Sequence, residues 1–129
     1  MRVLISSLGF AYHHVLAAAN RCSPDKIVLA TVNPEAERVK NAVEEVALYG
    51  RRQGVEVSVV RLNPEDFWKC AGEAASLFSE NASYYLDIGG GVRALSLCLF
   101  AAALLPSSTR GWSWSTPWRS TRRGWWRLT

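Results

Sequence analysis

The chain has 129 residues, enough for one domain with a genuine core, and its 49% hydrophobic and 20% charged content is ordinary for a globular protein. Its formal net charge of +4 sits wholly at one end: residues 1–105 carry ten Lys/Arg against all eleven Asp/Glu, and residues 106–129 carry five Arg and no acid. Residues 1–105 thus give no electrostatic sign of binding DNA, and the longest apolar stretch, the twelve residues from Ala94 to Leu105, falls short of the roughly twenty that a membrane span needs.

Arg2 to Ser6 is a short β-branched run closed by Ser7-Leu8-Gly9, which predicts a strand and a turn. Ser6-Ser7 and His13-His14 interrupt the apolar start, so an export signal is not expected. Tyr12 to Ala19 reads as a helix, Ser23-Pro24-Asp25 as punctuation, and Ile27 to Val32 as a second strand, apolar throughout as a sheet covered on both faces requires. Asn33-Pro34-Glu35 is a helix-start signature. The helix after it predicts Ala36, Val39, Val43, Val46, Ala47 and Gly50 inward and ends at Gly54. Val55 to Leu62 alternates apolar and polar residues, the mark of a strand near a sheet edge.

Asn63-Pro64-Glu65 repeats the helix-start chemistry, and the next helix turns Phe67, Ala71, Ala74, Ala75 and Phe78 inward. Tyr84 to Ile88 is the fourth strand, Gly89-Gly90-Gly91 a turn, and Val92 to Leu105 an apolar helix. Connections too long for hairpins imply right-handed crossovers. The fold expected is α/β: a Rossmann-like, mostly parallel sheet with helices on both faces, cut short of its last strands. Cys22, Cys70 and Cys98 are odd in number and lack CxxC spacing. They predict neither a disulfide framework nor a zinc site, and a reducing, cytoplasmic setting.

Residues 106–129 break the pattern, with five of the six Trp between positions 112 and 126 among Arg, Ser, Thr, Gly and Pro. They read as a disordered basic tail, as a nucleic-acid arm with stacking aromatics, or as the product of an out-of-frame GC-rich gene, which is the preferred expectation.

In an open parallel sheet, ligands gather at the carboxyl ends of the strands. Three loops there have unusual content: Ser7-Leu8-Gly9-Phe10, Thr31-Val32-Asn33-Pro34-Glu35 and Asp87-Ile88-Gly89-Gly90-Gly91-Val92-Arg93. Three successive glycines let backbone approach a ligand closely, and the helix N-terminus they open favours an anion by about 0.3–1 kcal/mol. Arg93, a cation in that first helical turn, predicts an anion in front of it, a charge-assisted bond of about 1.5–3 kcal/mol. Gly89 to Ala94 formally satisfies G-x-G-x-x-[GA], yet it follows the fourth strand instead of the first, and no acid follows at the required place. Nicotinamide and flavin enzymes are therefore not expected. His13 and His14 diverge by about 100° on their helix and do not easily share a metal, though one could face the pocket as an acid or base. Asp87 lacks the companion acids of a phospho-acceptor site, because Ser6 and Ser7 stand where those would be.

Taken together, Ser7-Leu8-Gly9-Phe10 after the first strand and Asp87-Ile88-Gly89-Gly90-Gly91-Val92-Arg93 after the fourth resemble the CARF domains (CRISPR-associated Rossmann fold) over residues 1–105. The archaeal CARF transcription regulators, with a comparable small-x-Gly-Phe turn and an Asp-x-x-x-Gly-x-Arg turn, look most similar. The resemblance implies a cytoplasmic homodimer that binds cyclic oligoadenylate, most readily cyclic tetra-adenylate, across its two-fold axis. It implies that Leu8, Gly9 and Phe10 line the pocket with Ser7 offering a hydroxyl, and that Gly89, Gly90, Gly91 and Arg93 hold phosphate or ribose. Asn33, Pro34 and Arg38 are further candidates from the second loop. Many relatives carry Ser or Thr where Gly89 stands. Such regulators continue into a winged helix-turn-helix domain, so DNA is expected as a partner only through an output domain outside this chain. The function expected is non-enzymatic sensing, with no metal, cofactor or membrane. The alternatives are a metal-independent ring nuclease assisted by His13 or Ser7, or another nucleotide-binding Rossmann-like domain.

Overall fold

A computed structural model describes residues 1–78 and 82–104 with their side chains, and further on the backbone of two short strands. The order is β1 (Arg2–Ser7), α1 (His13–Cys22), β2 (Lys26–Thr31), α2 (Glu37–Gln53), β3 (Glu56–Arg61), α3 (Phe67–Ala75) and a 3-10 turn (Ser76–Phe78). Then come β4 (Ser83–Asp87), α4 (Arg93–Leu104), β5 (Trp118–Ser120) and β6 (Trp126–Leu128). The sheet order is β3-β2-β1-β4-β6-β5. β1 to β4 are mutually parallel, and β6 runs antiparallel to β4, with β5 antiparallel to β6. This is the Rossmann-like α/β fold expected. The rest of 105–129 lies outside the described residues, and with it the expectations of disorder, a nucleic-acid arm or an out-of-frame product.

The continuous apolar runs of β1 and β2 are buried on both sides because helices cover both faces. Val3, Ile5, Val28 and Ala30 pack with Cys70, Ala71, Ala74, Phe78, Leu95 and Leu99 from the α3 and α4 layer. Leu4, Ile27 and Leu29 pack with Val15, Ala18, Val39 and Val46 from the α1 and α2 layer. Alternate residues of one strand thus feed opposite cores, as the period of two dictates. β3 flanks β2 at the sheet edge, and its partial exposure explains its alternating sequence.

Both Asn-Pro-Glu segments are corrected in detail. Each forms a side-chain turn instead of the first helical turn: the Glu35 and Glu65 amides donate to Asn33 Oδ1 and Asn63 Oδ1 at 3.3 and 3.0 Å. The helices begin two residues later, at Glu37 and Phe67, with Asp66 capping α3 by accepting from the Lys69 amide at 3.3 Å. Asn side chains bond their own downstream backbone readily, which competes with helix initiation. The inward face of α2 holds Val39, Ala42, Val46 and Gly50, with Ala36, Val43 and Ala47 only partly buried.

Gly54 closes α2 in the left-handed region at φ 69°, as its position implies. Gly50 is glycine for a different reason: a Cβ there would lie 2.6 Å from Val57 Cγ2 and 2.7 Å from the Val55 carbonyl oxygen. Gly50→Ala is therefore expected to lower the unfolding free energy by about 1–3 kcal/mol in urea titration, despite the better helix propensity of Ala. An equal or higher midpoint would refute this packing.

One part of the cysteine expectation, that no disulfide forms, is corrected. Cys70 and Cys98, each on the buried stripe of its helix, form a disulfide between α3 and α4 with Cα atoms 6.2 Å apart. A separation of 28 residues carries no sign of this, since the pairing follows from α3 and α4 sharing one face of the sheet. Cys22 is free, and burial pushes its thiol up to about 11, so it stays protonated at neutral pH.

Candidate functional site

The chain steps outward from β1 to β2 to β3, and α3 then returns it to β4 on the other side of β1. This reversal of strand order leaves a crevice over the carboxyl ends of β1 and β4, the place where open α/β sheets take ligands. Two turns form its floor. After β1, Leu8 is tied down by its amide, which donates to the Ala30 carbonyl at 2.8 Å. After β4, Gly91 adopts φ +73°, a conformation that an L side chain would strain. The two turns meet backbone to backbone: a Cβ on Gly9 would come within 3.1 Å of Gly91 Cα. The glycine-bearing turns therefore share one rim of the sheet.

Hydroxyls lock them together from below. Ser7 Oγ donates to the Gly90 carbonyl at 2.5 Å. Ser96, from the first turns of α4, brings its hydroxyl within 3.3 Å of Ser7 Oγ and of the Ile88 and Gly90 carbonyl oxygens. Beside this lock stands an acid–base pair. Asp87 is only 1% exposed and receives the Gly89 amide at Oδ1, 2.9 Å away. Its Oδ2 accepts from Ser6 Oγ at 3.1 Å and lies 2.7 Å from His14 Nδ1. The other ring nitrogen, Nε2, is 3.2 Å from the Ala11 carbonyl oxygen. The imidazole packs against Gly90, where any Cβ would overlap it.

Above the floor opens a cleft of about 540 Å³ with largely apolar walls. That size is in the range of small-molecule sites. Of the residues singled out in the sequence, Leu8, Gly9, Phe10, Asn33, Gly89, Gly90 and Gly91 line it. Ser7 does not, because its hydroxyl is used beneath the turn. Pro34 is also off the lining. Arg38 does not line it either, and its guanidinium lies 4.4 Å over the centre of the exposed Phe10 ring. Arg93 opens α4 on the helix's exposed side, opposite buried Leu95, Cys98 and Leu99, and does not line the cleft.

Of the two histidines, His13 is exposed and stacked on Tyr12, while His14 reaches the cleft. Sequence reading did not single out the pairing of His14 with Asp87. Its one available sign was an acid ending a central strand beside two serines. Among the described residues, His14 is the one ionisable side chain in the lining, and no His, Cys, Asp and Glu side chains gather to hold a metal ion. Also among the described residues, no helix is long and apolar enough to cross a membrane.

This arrangement suits an anionic ligand with flat apolar parts: glycine backbone and the α4 N-terminus on the floor, apolar walls, and one imidazole at the side. No curated protein matches the chain. The family model of the Csa3 CRISPR-associated Rossmann-like domain, however, matches residues 2–110, and the chain belongs to that family.

Proposed function

We propose that this domain senses cyclic oligoadenylate, with cyclic tetra-adenylate as the preferred ring, as a cytoplasmic homodimer serving a CRISPR-associated transcription regulator. The observation that carries this reading is the cleft at the reversal of strand order, floored by the touching Gly9 and Gly91 turns. A phosphodiester can approach bare backbone there, while Phe10, Val32 and Val92 supply apolar surface for a base. A ring of four identical nucleotides contains a two-fold axis, so an isologous dimer offers it the same contacts twice. The outer side of α4 supports such a dimer: Val92 and Leu97 are 52% and 61% exposed, and Val92 also lines the cleft, so a partner there would sit beside the ligand. Arg93, on the same exposed side, would contribute to the ring across that boundary. DNA would be contacted by an output domain beyond these residues.

Calorimetric titration with rings of three, four and six adenylates tests the proposal. The expected result is heat with the four-membered ring at one ring per two chains, and a dimer by light scattering. Absence of heat with every ring would end it. One observation favours a second reading, in which the ring is also cleaved: the His14–Asp87 pair is the arrangement used in general acid–base chemistry. Linear products at multiple turnover, followed by chromatography, would decide for that reading.

A further inference from the structure

We infer that His14 makes anion binding in this cleft proton-dependent, with the imidazolium as the binding-competent state and Asp87 as its positioning residue. The inference rests on the reading above only for the identity of the ligand; its own basis is the hydrogen-bond geometry. Both ring nitrogens of His14 face acceptors, Asp87 Oδ2 at 2.7 Å and the Ala11 carbonyl oxygen at 3.2 Å. A neutral imidazole has one N–H and would turn a lone pair toward one of them. The imidazolium donates to both.

Charge points the same way. With His14 protonated, the His14–Asp87 pair is neutral overall. With His14 deprotonated, the buried Asp87 carboxylate is uncompensated in the cleft wall, where it repels an anion. Among the described residues, the other charged groups near the cleft do not cancel this term. Arg38 on α2 stands over Phe10 at the mouth, Arg93 on α4 is exposed and off the lining, and Glu35 is paired with Arg61 at 3.0 Å outside it. β1 contributes only the hydroxyls of Ser6 and Ser7 to this wall. His13, next on α1, is exposed and directed to Tyr12. His14 is thus the ionisable side chain that faces the cleft among the described residues.

The test titrates the full chain with cyclic tetra-adenylate and with the linear dinucleotide adenylyl-adenosine, between about pH 5.5 and 8.5. Phosphodiesters keep one fixed negative charge throughout this range, so any proton linkage belongs to the protein. Affinity is expected to fall about tenfold as pH rises, with up to about half a proton taken up on binding in buffers of different ionisation enthalpy. In His14→Gln, which keeps a donor toward Asp87 without a charge that titrates, the pH slope should vanish while the chain stays folded. A ring that binds with the same slope in His14→Gln, or with no slope in the native chain, overturns the inference and leaves the proposed function standing. Proton-linked binding of adenylyl-adenosine without ring binding keeps the inference and removes the ring. Failure of both probes at the acidic end removes both.

Discussion

Gly90→Ala is expected to cost cyclic tetra-adenylate at least about thirtyfold in affinity while circular dichroism remains native. The added methyl overlaps the His14 ring and comes within 3.0 Å of the Ser7 carbonyl oxygen. The backbone on the Ser7 side cannot yield, because β1 is hydrogen-bonded to strands on both sides. The imidazole must therefore swing away from Asp87 and into the cleft it lines. A ligand-free readout accompanies the affinity: the imidazole nitrogen resonances of His14 should lose the signature of a carboxylate-bound Nδ1–H. Native affinity together with unchanged resonances would show that Gly90 is glycine for some reason other than its neighbour.

Asp87→Ala should be the most destabilising single change at the site, at about 3 kcal/mol by urea unfolding. It removes the acceptor of three groups at once: the Ser6 hydroxyl, the Gly89 amide and His14 Nδ1. Asp87→Asn separates position from charge. The amide oxygen can still accept from the Gly89 amide and the amide NH2, standing where Oδ2 was, can donate to Ser6 Oγ, so most of the stability should return, while the pH dependence of ligand binding should weaken because no carboxylate remains to be compensated. A full pH slope in Asp87→Asn would mean that the buried charge is not part of the ligand's environment. Loss of stability equal to that of Asp87→Ala would mean that the carboxylate itself, and not its place, holds the turn.

Much of the architecture was legible in the residues. Runs such as Ile27 to Val32 announce a strand covered on both faces, the alternation in Val55 to Leu62 announces an edge, and both lie where expected. The positions of the glycine turns at the strands' carboxyl ends were legible too, because four parallel strands joined by helices put all such turns on one rim. These features follow from short-range preferences, set by residues a few places apart: side-chain periodicity, the conformational range of Gly, the locked φ of Pro.

Tertiary structure decided the rest. Asp87 and His14 are 73 positions apart in the chain and meet because β4 lies beside β1, in the register that sets Asp87 against Ser6. Cys70 and Cys98 meet because two helices share one face. Arg93, the most suggestive cation in the sequence, lies outside the cleft because the apolar side of α4 claims the core and turns the Arg outward. Local preferences choose strands, helices and turns, but which side chains come within hydrogen-bonding distance depends on strand order, register and helix rotation. Those are settled by burying the apolar surface of the whole chain at once.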